Sequence, residues 1–236
     1  MKAKILVIGD IHGALRALTQ VLEKVHLRNG DSLIFMGDYV DGWPESAEVI
    51  DYLIALSKEF PAIFIKGNHD IQCASWLLGN EADASWLENK DEPMIQSYSR
   101  IDAERRQLHL DFFSSLKDYY IDSENRLFVH AGFTSMKGPS EEFFSSNFNN
   151  DRTLLETALA MGSNGNLDPI FYPKRLRLFK EIYVGHTPTT KYGITTPIHA
   201  GNLWDMDTGA TYHGRISAMD VNTKELWQSD LVESLY

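Results

Sequence analysis

Six side chains in this 236-residue chain offer oxygen or imidazole nitrogen in a pattern that suits metal coordination: Asp10, His12, Asp38, Asn68, His130 and His186. None is a thiolate. Such a mixture suits borderline first-row divalent ions, manganese first with iron or zinc as alternatives, better than calcium or a sulfur-seeking metal. Asp10, His12 and Asp38 suffice for one ion, and Asp38, Asn68, His130 and His186 for a second. Asp38 would then bridge two ions about 3.5–4 Å apart, the spacing that two-metal sites use on phosphate groups. Water shared by such a pair becomes hydroxide near neutral pH, since even one Zn²⁺ lowers the pKa of bound water to about 7.

The neighbours of these donors add proton transfer and charge. His69 stands beside Asn68 and need not bind metal. Aimed at the open side, it could protonate a leaving oxygen, with Asp41 to orient it. General acid catalysis of this kind contributes typically about 10²–10⁴-fold. A bidentate arginine is expected on the phosphoryl oxygens. Arg152 is the first choice, with Arg175 and Arg177 behind it in a basic run at 174–180.

Every donor sits just past an apolar run. The junctions read Gly9-Asp10-Ile11-His12-Gly13, Gly37-Asp38-Tyr39-Val40-Asp41-Gly42, Gly67-Asn68-His69-Asp70, His130-Ala131-Gly132 and Gly185-His186-Thr187. The preceding runs predict strands at 4–8, 33–36, 62–65, 126–129 and 181–184. Leu15, Leu18, Leu22 and Val25 recur at helical spacing, and Asn29-Gly30-Asp31 supplies turn residues to close that helix. A second helix is expected from Trp43-Pro44-Glu45, with Pro44 at its first position and Ala47, Ile50, Leu53 and Ile54 as its stripe. Alternating strands and helices imply parallel pairing, and sites in such sheets form beyond the carboxyl ends of the strands.

Residues 71–118 carry Trp76, Trp86, Tyr98, Phe112 and Phe113 among charges and read as mostly helical, over or beside the site. A hairpin of 119–121 with 126–129 would deliver His130. Residues 135–151 read as a surface loop, Leu154, Leu155, Ala158 and Leu159 as a short helix, and 162–166 as a loop. Runs at 203–206, 212–221 and 225–228 read as antiparallel strands, and the whole chain, 1–236, as one domain.

Composition bounds the partners. A net charge of -11 argues against a nucleic-acid polymer or an anionic membrane surface. It leaves an anionic substrate open, because bound cations reverse the local field. Cys73 is the only cysteine, so no internal disulfide is possible, and a small buried residue is its expected role. No apolar run is long enough for a signal peptide or membrane span, which points to the cytoplasm. His26 is expected at a helix end, and His109, His199 and His213 in packing or surface roles.

In this order, the five junctions resemble the signature of the phosphoprotein phosphatase family of calcineurin-like metallophosphoesterases, the bacterial serine/threonine phosphatase type. Asp151-Arg152-Thr153-Leu154 and Asp205-Met206-Asp207-Thr208-Gly209 extend the resemblance along nearly the whole chain. It implies an α/β fold, an αββα sandwich with mixed sheets and an N-terminal βαβαβ unit. It also implies a dinuclear metal centre and phosphomonoester hydrolysis by in-line attack of a metal-held hydroxide. By matched position Asp10, His12, Asp38, Asn68, His130 and His186 are expected as ligands, His69 and Asp41 as the acid and its partner, and Arg152 and Asn68 as substrate contacts. The family has Asp-Arg-Gly where this chain has Asp41-Gly42-Trp43, and Glu where Asp70 stands. One phosphate-binding arginine is therefore missing, and Trp43 either lines the vacated space or simply packs. The expected substrate is a phosphorylated protein or a small phosphoester. Hydrolysis of a nucleotide anhydride, such as symmetrical cleavage of diadenosine tetraphosphate, is the alternative, and a catalytically silent scaffold is the non-enzymatic one.

Overall fold

The computed structural model describes residues 3–80, 92–161 and 172–236; Trp86 and the loop expected at 162–166 lie outside them. Two five-stranded sheets pack face to face with helices outside. The first sheet has the order β10-β9-β1-β2-β3 (Leu226–Gln228, Ser217–Asp220, Ile5–Ile8, Ser32–Phe35, Ala62–Phe64). The second has the order β4-β5-β6-β8-β7 (Tyr119–Ile121, Arg126–Val129, Glu181–Val184, Leu203–Asp205, Ile198–Ala200). Both are mixed: β1, β2 and β3 run parallel, as do β5, β6 and β8, while β9, β10, β4 and β7 are antiparallel additions.

The layering follows from the period-two alternation of strand side chains. Leu6, Ile8, Leu33 and Phe35 face the helices of the first sheet, whereas Val7 and Ile34 face inward. Leu127, Val129, Ile182 and Val184 face the second helical layer, whereas Phe128 and Tyr183 meet Val7, Ile34 and Met206 between the sheets. Strands buried on both faces need apolar residues at every position, which is why these runs are so uniform in sequence. The result is the αββα sandwich.

Helices α1 (Leu15–Val25) and α2 (Ser46–Glu59) are the crossovers of the first sheet. The turn residues 29–31 do not close α1. It stops at Val25, where His26 takes a left-handed conformation. Asp31 instead closes the loop back onto β1, accepting from the backbone N–H of Lys4 (2.8 Å) and of Arg28 (2.9 Å). Nor does α2 begin at Trp43. The Trp43 N–H donates to His12 O and the Glu45 N–H to Gly13 O, so this stretch is stitched to the loop after β1 and helix starts only at Ser46.

Farther along lie α3 (Asn68–Leu77), α4 (Glu92–Ser99) and α5 (Ala103–Ser115), capped by Asp102 accepting from the Arg105 N–H. Tyr98, Phe112 and Phe113 pack into the first core, and His109 is fully buried between the Tyr98 hydroxyl and Asp51. A short helix, α6 (Thr153–Ala160), covers the second sheet. Two readings need correction at the carboxyl end. Only 217–220 of the expected 212–221 strand is strand, because Gly214 and Arg215 turn back to bond Gly209 and Thr208. The β8 strand is parallel to β6 and antiparallel only to β7, a three-residue strand too short to read from sequence.

The inter-sheet layer offers a direct stability test. Phe128 is fully buried and stacks on Tyr183 with centroids 4.9 Å apart. Phe128→Ala is expected to cost about 3–5 kcal/mol in urea denaturation; a loss under about 1 kcal/mol would contradict this packing.

Candidate dinuclear metal centre

The loops leaving β1, β2, β3, β5 and β6 meet at one end of the sandwich. The N–H groups of Ile11 and His12 both donate to Asp38 O (3.0 and 2.8 Å), which ties the first loop to the second. His12, Asp38, Asp41 and His186 all have positive φ, at 52°, 50°, 71° and 69°. Non-glycine residues adopt this region rarely and at a cost, and they cluster at functional sites. Gly67 is required by close approach, since a Cβ there would run into Asp38 Oδ1 and the Asp38 backbone.

A carboxylate whose role the sequence did not reveal holds this geometry. Asp70 is buried and accepts from the backbone N–H groups of Asp38, Tyr39 and Gly67, each at 2.9 Å. It clamps the loop after β2 to the loop after β3. Its only sequence signal was its place at the end of Gly-Asn-His-Asp. Burial and the nearby Asp38 charge push its pKa up to about 7.

All six expected donors come together. Asp38 Oδ2 lies 3.8 Å from His12 Nε2 and 3.3 Å from His130 Nε2, and His12 Nε2 lies 4.0 Å from Asp10 Oδ2. On the other side, Asn68 Oδ1 is 3.2 Å from His130 Nε2 and 3.0 Å from His186 Nδ1. Ligand atoms held at about 2.0–2.2 Å from one ion are at most about 4.4 Å apart, so these separations admit a metal in each half. The two halves share Asp38.

Hydrogen bonds at the far sides of the rings fix what the near sides present. His12 Nδ1–H donates to Asp41 O (2.9 Å) and His130 Nδ1–H to Met36 O (2.8 Å). Burial opposes a charge on His130, but Asp38 raises its pKa, so an ion bound there would take the place of that proton; in the neutral, metal-binding form each Nε2 carries a lone pair. Burial pushes His12 down to about 4; burial and the neighbouring His130 push His186 down to about 3. These lone pairs face Asp38 Oδ2 and Asn68 Oδ1, which only accept. With His130 neutral, this knot of acceptors is repulsive unless a cation lies among them. Asp10 Oδ1 and His186 Nε2 are likewise buried with no hydrogen-bond partner among the described residues. The donor set fits divalent ions.

His69 differs from the other imidazoles. Its Nδ1 lies 2.5 Å from Asp41 Oδ2, and its Nε2 lies 3.9 Å from Asp38 Oδ2 on the open side, with 27% of the side chain exposed. Burial opposes its charge, but Asp38 and the hydrogen-bonded Asp41 override this and push the ring up to about 9. By proximity alone His69 could join His12 and Asp38 around one ion. A ring held protonated by two carboxylates is a poor ligand and a ready proton donor, so Asp10 is the better third member.

Arg152 is exposed at the start of α6, close enough for its charge to depress His186, and no hydrogen bond or ion pair holds its guanidinium among the described residues. Arg175 is no substitute. It is buried, donating to Phe133 O (2.7 Å) and Thr153 Oγ1 (3.1 Å), so it fastens the second helical layer. Arg177 is exposed on the same short helical turn. Where the family has arginine, Gly42 has φ 124°, and a Cβ would come within 3.2 Å of His12 O. Trp43 is pinned by its Nε1–H to Ala210 O (2.7 Å) and stacks on Tyr236. His199 stacks on Trp204, and His213 pairs with Glu233 at the surface; neither reaches the cluster.

Comparison with known proteins gives the family. Residues 3–211 match the profile of the calcineurin-like phosphoesterase family. The asymmetrical bis(5'-nucleosyl)-tetraphosphatase PrpE of Anoxybacillus flavithermus is 25% identical over 227 residues, covering 90% of this chain and 88% of its own. A symmetrical bis(5'-nucleosyl)-tetraphosphatase of Neisseria meningitidis is 25% identical over 273 residues, covering 94% and 93%. A serine/threonine protein phosphatase of Saccharomyces cerevisiae has the same fold, with a TM-score of 0.63 at 16% identity, covering 97% of this chain and 80% of that one. Among the described residues no helix is long and apolar enough to cross a membrane. The chain is a hydrolase and belongs to the calcineurin-like phosphoesterase family.

Proposed function

We propose that this chain is a metal-dependent hydrolase of phosphoanhydrides in dinucleoside polyphosphates. The observation that carries the chemistry is the Asp38 carboxylate, shared by two sets of acceptor atoms that call for cations. Asp10, His12 and Asp38 would hold one ion; Asp38, Asn68, His130 and His186 would hold the other. When bound, the ions supply Lewis acidity and an activated water. Asn68 and the exposed Arg152 would contact the phosphate oxygens of the substrate. His69, oriented by Asp41, keeps a proton on Nε2 at the open side and delivers it to the departing oxygen.

The curated relatives that cover about nine-tenths of this chain support the substrate class, since they are named as bis(5'-nucleosyl)-tetraphosphatases. The loop at Gly42 supports it too. A single phosphoryl group there lacks the second arginine, whereas a polyphosphate offers further oxygens to Arg152 and to the ions. Phosphoserine or phosphothreonine in proteins is the second reading, favoured by the order of the motifs and by the fold shared with the yeast phosphatase.

Metal-stripped protein with added Mn²⁺ should cleave diadenosine tetraphosphate with a kcat/KM at least about tenfold above that for a phosphoserine peptide, a difference of about 1.4 kcal/mol. Faster turnover of the peptide would select the second reading. Two bound metals with neither activity would leave a silent scaffold. Asp38→Asn should abolish turnover and weaken both ions in calorimetric titration; wild-type turnover at full metal would remove Asp38 from the bridging position. His69→Asn should spare metal content and slow substrates with poor leaving groups by about 10²-fold or more. Equal slowing of activated esters would argue against His69 as the acid. Gly42→Arg should not raise turnover and should cost about 1–3 kcal/mol of stability, because φ 124° strains any side chain; a more active, equally stable variant would show that the loop accommodates arginine.

A further inference from the structure

A groove of about 750 Å³ opens between α3, α5 and the loop that precedes α6, with Asp70, the clamp on Asp38, in its lining. Its floor is apolar, formed by Ile71, Ala74, Leu78, Leu110 and Phe113, and its rim is polar, with the amides of Asn80, Gln107 and Asn149, several serines, and Lys66, Asp70, Asp111 and Asp118 in the lining. That volume and that pairing of an apolar floor with a few polar groups match sites for small organic ligands, which run at about 300–1,000 Å³.

Hydrogen bonds tie the loops after β2 and β5 to the walls of the groove, and the donor-bearing loop after β3 lines it directly. Asp70, which clamps Asp38, lines it, and so does Lys66, which precedes Gly67-Asn68. Asn149 lines it from the third side, donating to Lys66 O; the preceding Phe148 accepts from the N–H of Ala131, beside His130. Along α3, at about 1.5 Å per residue, Ile71 and Ala74 lie about 4.5 and 9 Å beyond Asn68. A ligand held at the cluster by its phosphates would bring its organic end to this space.

We infer that the groove receives a nucleoside end of the substrate, its base against the apolar floor and its ring edges toward the rim amides. The inference rests on the dinucleoside polyphosphate reading. An extended peptide fits less well. The nearby edge of the first sheet is already covered, because Lys66 N–H donates to Lys117 O and Lys117 N–H to Phe64 O, leaving no free edge there for strand addition.

The test uses the full chain loaded with Mn²⁺ and two substrates, diadenosine tetraphosphate and p-nitrophenyl phosphate, the second having no nucleoside. Ala74→Trp fills the groove, and Leu78→Ala, at a residue 68% exposed, trims the apolar floor without touching the core. Ala74→Trp is expected to raise KM for the dinucleotide about tenfold or more, within the range of a lost base contact, and Leu78→Ala about threefold. Turnover of p-nitrophenyl phosphate should be unchanged in both, which also shows that the variants fold. Unchanged KM for the dinucleotide in both variants would overturn the groove assignment and leave the substrate reading standing. Wild-type protein that cleaves p-nitrophenyl phosphate but no dinucleotide would overturn both.

Discussion

The arrangement depends on one carboxylate held where electrostatics would not leave it alone. Asp38 is buried, in a left-handed backbone conformation, and surrounded by the rings of His12, His69 and His130. The charges on His130 and His69 outweigh the burial and keep it ionised, its pKa well below the usual range. Its position is fixed from behind, where Asp70 takes its N–H and the Gly67 N–H on one oxygen, and His12 and Ile11 donate to its carbonyl. These bonds keep the acceptors converged when repulsion would spread them. Held this way, they are pre-organised for cations, and little reorganisation remains to be done on binding.

The sandwich supplies that convergence. Asp10 and Asp38 leave the first sheet, and His130 and His186 leave the second, so the cluster spans both. Only packing of the two inner faces brings them within ligand distance. The Phe128–Tyr183 stack and the Met206, Val7 and Ile34 contacts set that separation. Stability and chemistry are therefore coupled through the inter-sheet layer.

Much of this was legible in the chain because the signals are local. Apolar runs of four residues ending in glycine and a polar donor announce both strand and site, and the oxygen and nitrogen donors announce a site suited to divalent ions. What sequence missed depends on distant partners. Asp70 looked like a minor variant of glutamate, yet its meaning comes from three backbone N–H groups on two loops. Arg175 carried the right chemistry for phosphate, but tertiary packing spends it on Phe133 and Thr153. Pro44 and Glu45 carry helix-start signals that a backbone bond from Glu45 to Gly13 overrides. Whether β8 pairs parallel or antiparallel depends on which strand lies beside it, and no local pattern encodes that.

The departure at Gly42 shows how a local change is built into its surroundings. Its φ of 124° belongs to glycine, and the next residue, Trp43, is fastened by Ala210 O and by the Tyr236 ring. Arg16 in turn lies over the Tyr236 ring and bonds Leu235 O (2.6 Å), so the carboxyl-terminal turn is part of the same surface. An arginine placed here would need a different backbone, not merely a different side chain. The loss of that cation is thus a property of the whole loop, and it leaves Arg152 as the exposed arginine close to His186.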